Sequence, residues 1–145
     1  MEIIEILNEM KQLKDFEHGS AQNPEAILSL EQELGFKFPE SYIKLISLYG
    51  YVSCFKGEVY GISEDLYFDV IKKNKMIREM NLPDDFCPLP KDAFIIEKYL
   101  GGGCYLLFDE NSDRSGQVSL VLDETFYEEE ESWPDLESFL EDYFL

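Results

Sequence analysis

Glu128, Glu129, Glu130 and Glu131 form the densest run of reactive side chains in the sequence, with Tyr127 before them and Trp133 and Asp135 just after. Four adjacent carboxylates build a local negative potential that a cation relieves. Two readings of the run stand side by side. It is either a solvated acidic loop leading into the last helix, or a docking face for a positively charged partner. In the second reading Tyr127 and Trp133 supply the rigid aromatic anchors that dominate interface energetics. Trp133 is the only tryptophan and lies against the longest acidic run, which favours the binding face. Tyr51 and Tyr60, flanking the first strand segments, form the alternative face.

The other reactive residues lack the neighbours their chemistry needs. His18, the sole histidine, sits in a polar stretch with no nucleophile-elbow sequence to serve. One histidine and three scattered cysteines, Cys54, Cys87 and Cys104, give no zinc spacing and no disulfide framework. The stretch from Asp109 to Gly116 mimics a calcium loop in its oxygen side chains. It has Arg114 where the sharp turn needs glycine and Leu120 where a bidentate glutamate belongs, so it reads as a hairpin turn. Gly101 to Gly103 lacks the Lys-Ser/Thr that a phosphate loop carries, and an apolar strand follows it. No two of the 31 acidic residues stand out as a hydrolytic pair. The expectation is a protein that is not an enzyme and has no catalytic residues, no cofactor and no metal.

Charge narrows the partners. Twelve basic against 31 acidic residues give a net of −19, and residues 115–145 hold ten acids and no base. Such a surface repels phosphate backbones and anionic lipid, which excludes nucleic acid and membrane as partners and suits a basic protein. No apolar run nears the roughly 20 residues of a membrane span. The first 15 residues alternate acids with apolar residues instead of forming a secretion signal, so a cytoplasmic location is expected. With 45% hydrophobic residues, the 145-residue chain has the material for one well-packed domain, residues 1–145.

The elements that would position these groups follow from periodicity. Residues 2–14 predict a helix with Ile3, Leu7 and Met10 on one face, and DFEHGSAQN predicts a loop. Asn23 and Pro24 open a helix whose stripe is Ile27, Leu30 and Leu34, closed by Gly35. Pro39 and Glu40 start another, with Tyr42, Ile43, Ile46 and Tyr49 inward and Gly50 at its end. Tyr51 to Ile62 predicts two strand segments about a Lys56-Gly57 turn, or one strand with a bulge. A helix follows from Asp69, with Val70, Ile77 and Met80 near one face. Residues 93–100, 104–109 and 117–122 predict strands joined by short loops, hence an antiparallel meander. A further short strand falls at TFYE, and a last helix starts at Trp133 with Leu136, Phe139, Leu140 and Tyr143 inward. The fold class is α+β, an antiparallel sheet with helices on its face.

Leu30-Glu31, Leu34-Gly35, Phe38-Pro39-Glu40, Tyr42 and Tyr49-Gly50 together resemble the SUKH superfamily, which holds bacterial toxin-immunity proteins and a fungal cell-wall synthesis regulator domain. Phe38 stands where that family usually has leucine, and Tyr49-Gly50-Tyr51 replaces its Asn-Gly-Gly-like corner. The resemblance implies an immunity protein whose partner is a cognate toxin, and the charge makes a basic, nuclease-like toxin the natural fit. It also implies the alternative of a regulatory interaction module. A small-molecule-binding domain is the third reading. The sequence leaves the toxin's identity and the oligomeric state open.

Overall fold

Short-range hydrogen bonds set the helix ends in this computed structural model, which describes residues 1–145. Helix α1 spans Ile3–Met10, shorter than its periodicity predicts, and buries Ile3, Ile6, Leu7 and Met10. The stretch expected to be a loop then contributes a two-residue strand, β1 (Glu17–His18). Helix α2 (Pro24–Leu34) opens where Asn23 Oδ1 accepts from the Ala26 amide at 2.8 Å. It closes at Gly35, whose φ of 83° only glycine adopts without strain. Helix α3 (Glu40–Tyr49) follows Pro39 and ends at Gly50. A tight hairpin, β2 (Val52–Cys54) and β3 (Gly57–Val59), turns at Phe55-Lys56, one residue before the expected Lys56-Gly57, because Gly57 already pairs with Cys54. Helix α4 (Val70–Arg78) is capped by Asp69, whose Oδ1 accepts from the Lys72 amide at 3.0 Å. Strands β4 (Ala93–Tyr99), β5 (Gly103–Phe108), β6 (Val118–Leu122) and β7 (Glu129–Trp133) precede α5 (Leu136–Phe144).

The strands form two antiparallel sheets, β1-β2-β3 and β4-β5-β6-β7, where one was expected. They nearly meet: just past β3, the Tyr60 amide donates to the Ile96 carbonyl at 2.8 Å. Strands β4, β5 and β6 form the predicted meander, which β7 extends, and the class is α+β. Helices α3 and α5 cover one face of it. Phe94 packs on Phe38 and Tyr42 at centroid distances of 5.1 and 5.2 Å, and Tyr105 packs on Phe139 at 4.9 Å. Thirty-four buried residues form one contiguous core.

Three predicted details change. TFYE is not a strand: residues 123–125 make a 3-10 turn, and Phe126 and Tyr127 take φ values of 58° and 62°. The fourth strand is the acidic run itself, so Trp133 ends a strand instead of starting the last helix; Asp135 caps α5 by accepting from the Ser138 amide at 2.7 Å. Met80 lies beyond the end of α4 and is exposed.

One outer edge of the four-stranded sheet is sealed. At β4 the Asn74 side chain of α4 imitates a peptide: Oδ1 accepts from the Ile95 amide at 2.8 Å and Nδ2 donates to the Ile95 carbonyl at 2.9 Å. Arg78 donates to the Ala93 and Pro90 carbonyls beside it.

Candidate partner-binding face

The opposite edge, β7, is open. No hydrogen bond reaches the outward N–H and C=O groups of Glu129 to Trp133, in contrast to the sealed edge at β4. Four glutamates hardly favour a strand on their own. Pairing with β6 holds them there: Trp133 lies opposite Val118, Ser132 opposite Ser119 and Glu131 opposite Leu120. The register then slips by one residue, so that Val121 faces Glu129 and Glu130 is left as a bulge. Strict alternation would put Glu129 and Glu131 on one face. The bulge separates them, and the carboxylates fan around the edge.

Arg114, the last base in the chain, anchors this strand. Its guanidinium stands 4.3 Å over the Phe108 ring and donates to Gln117 Oε1 at 3.0 Å. It also pairs with Glu129 Oε1, which accepts from the Ser119 hydroxyl as well. Partial burial pushes the Glu129 carboxyl up, but Arg114 and Ser119 outweigh it and hold the group below the usual carboxylate range. Glu128, Glu130 and Glu131 are exposed and have no cationic partner.

The aromatic candidates have other duties. Trp133 is half-buried, with its ring 5.0 Å from Phe139 and its Nε1 donating to Asp142 Oδ2 at 3.0 Å, so it fastens β7 to α5. Tyr127 is 7% exposed and packs on Phe86; burial pushes its hydroxyl up to about 12. Asp135 is exposed and serves as the α5 cap. The open edge therefore presents Glu128, Glu130 and Glu131, with Glu129 tethered and one flank of Trp133 alongside.

Tyr51 and Tyr60 are not brought to this edge. They flank the β2–β3 hairpin of the other sheet, which meets the four-stranded sheet at β4, the edge opposite β7. Tyr51 is half-buried and stacks on Phe68 at 4.2 Å. Tyr60 is 1% exposed, and its hydroxyl accepts from the Lys98 amide at 3.0 Å, so it is a core residue.

The remaining reactive groups are engaged in ordinary structure. Asp109 Oδ2 accepts from the Lys37 amide and Oδ1 from the Asn111 amide, both at 2.6 Å, which builds the β5–β6 hairpin loop. The exposed His18 ring lies 4.9 Å from Tyr49. Cys54 and Cys104 are buried free thiols, and burial pushes the Cys104 thiol up to about 12. No helix is long and apolar enough to cross a membrane.

Arg114 could have been singled out from the sequence, because it is the last cation before an acid-only stretch and sits in the loop that leads into β6. The buried carboxyl of Glu97 gave no such signal. Comparison with known proteins adds one match: the family model described as SMI1-KNR4 cell-wall, SUKH_5, covers residues 2–145. No curated protein matches the chain.

Proposed function

We propose, from the premise that this chain belongs to the SMI1-KNR4 (SUKH_5) family, that it is an immunity protein which neutralises a cognate toxin domain by stoichiometric occlusion, with no turnover. Membership in that family supports a protein-interaction module of the immunity and SMI1-KNR4 type. The finer reading, a cytoplasmic inhibitor of a basic, nuclease-like toxin, rests on one observation. The base-free final 31 residues of a chain with a net charge of −19 place exposed carboxylates on the open edge strand β7.

A toxin that acts on nucleic acid needs a cationic surface, and an acidic inhibitor is steered onto it. Neutral pairs associate at roughly 10⁵–10⁶ M⁻¹s⁻¹, and steering raises this toward about 10⁸–10⁹ M⁻¹s⁻¹ at low salt. The partner docks along β7, and its Lys and Arg side chains engage Glu128, Glu130 and Glu131.

Two measurements test this. Co-expression with candidate toxin domains should identify one whose growth arrest the chain relieves, and the association rate with it should fall steeply with ionic strength. Failure of rescue rejects the immunity reading; a rate that is flat with salt rejects the electrostatic mechanism. The cell-wall description of the family favours a second reading, a regulatory module bound to a housekeeping protein. That reading expects a stable complex with a resident partner and no toxin to neutralise.

A further inference from the structure

Glu97 is the anomaly of the core: a glutamate side chain 1% exposed. The register slip between Ile95 and Glu97 turns it onto the face it shares with Tyr105, its partner on β5 and a neighbour of α5. Its Oε1 accepts from the Glu58 amide at 3.3 Å and lies 3.0 Å from the Tyr143 hydroxyl of α5. Its Oε2 is buried with no partner at all. At the hairpin tip Gly57 fits only because it lacks a side chain; a Cβ there would overlap Glu97 Oε1 and come within 2.8 Å of the Tyr143 hydroxyl.

Counting protons at Tyr143 decides the state of this carboxyl. The hydroxyl also sits 2.9 Å from the Lys56 carbonyl, a pure acceptor, and it has one hydrogen for two neighbouring oxygens. If Glu97 carries a proton on Oε1, the set closes: Glu97 donates to Tyr143 and Tyr143 donates to the Lys56 carbonyl. The unpartnered Oε2 is then a neutral carbonyl oxygen, the cheapest kind of buried orphan. If Glu97 is ionised, Tyr143 must turn to it. The exposed Lys56 carbonyl then exchanges its tie to the helix for solvent, and half of a buried carboxylate has no donor.

The groups facing Glu97 do not rescue the ion. Glu58 of β3 adds a second negative charge and is itself bonded to the Tyr67 hydroxyl; Tyr60, Tyr105 and Tyr143 are neutral, with burial the main cause of their raised pKa values. Of the cations around it, Lys56 and Lys98 are exposed and Lys73 of α4 stands over the Tyr60 and Tyr67 rings; none forms an ion pair with it.

We propose that Glu97 is a proton-operated latch that holds the tip of the β2–β3 hairpin to the C-terminal helix through Tyr143 and the Lys56 carbonyl. While the proton is present, hairpin, sheet and helix are tied; when it leaves, the tip loosens.

Burial, followed by the Glu58 charge, pushes the Glu97 carboxyl up from its ordinary 4.5 to about 8. The sign of the stability effect follows. Below the ordinary value, folded and unfolded chains both hold the proton and stability is full. Between there and about 8 only the folded chain holds it, so stability falls as pH rises, by up to about tenfold in the folding constant per pH unit. Above that the slope vanishes.

The experiment is urea unfolding of the whole chain from pH 5 to 9.5 at fixed ionic strength, wild type against Glu97→Gln. The variant should show a flatter profile and become the more stable protein toward alkaline pH. Parallel profiles would overturn the latch. A carbon-13 titration of the Glu97 carboxyl in the wild-type protein gives a reading that does not depend on the variant folding. A midpoint far above 4.5, accompanied by faster amide exchange at Lys56, Gly57 and Glu58, supports the proposal. A midpoint among the surface carboxylates, or hairpin exchange indifferent to it, ends the proposal.

Discussion

Asn74 shows how much one polar side chain can govern here. It is 3% exposed, and its amide meets both backbone groups of Ile95 and also the Val70 carbonyl. Asn74→Ala should cost roughly 2–4 kcal/mol in urea unfolding, because one or two buried backbone groups are orphaned. A loss below about 1 kcal/mol would mean that water or a shifted helix supplies the missing partners. The sequence gives no hint of this role, since a lone asparagine in a charged helix reads as solvated. Glu97 hid for another reason. Alternation along residues 93–100 assigns it the face of Ile95, and only the bulge at Ile96 turns it around. Period-two reasoning assumes an unbroken ladder, and single-residue slips leave no mark in composition.

At the level of elements the local signals carried most of the fold. Asn23 and Pro24 start a helix because the cap oxygen and the missing N–H answer the same unsatisfied first turn, and Asp69 does likewise for α4. Strands β4, β5 and β6 fall within one residue of their apolar runs. The acidic strand was illegible because nothing in Glu-Glu-Glu-Ser-Trp favours extension; β6 imposes it from outside. That origin carries a prediction. Replacing Glu128, Glu130 and Glu131 together by glutamine should leave stability within about 0.5 kcal/mol, as exposed substitutions do. If the basic partner proposed above is the right one, the same variant should slow its association at low salt by at least about tenfold, read by stopped flow. Unchanged kinetics would move the docking face to the neighbourhood of Tyr51. Arg114→Gln should act oppositely on the two quantities. It loosens β7 by releasing Glu129 from its anchor, and it makes the edge more negative, so stability falls while the encounter rate rises.

Across the whole molecule, a charge of −19 repels itself when folded. Salt should therefore pull the chain's two properties in opposite directions. Raising ionic strength from about 10 mM to 150 mM shortens the screening length from roughly 30 Å to 8 Å. The thermal midpoint should rise, by about 3–4 °C for each kcal/mol of relieved repulsion, while partner association slows. Scanning calorimetry in a salt series checks the first half, and a midpoint that falls with salt would mean that ion pairs outweigh repulsion. Only three ion pairs are present, so repulsion should prevail. The open strand finally bears on how such a chain can change its target. Its untethered carboxylates Glu130 and Glu131, with Glu128 just before them, are spectators to folding, so substitutions there change the charge of the edge and leave untouched whether the chain folds. Those positions can therefore be rewritten one at a time, each intermediate still an intact protein.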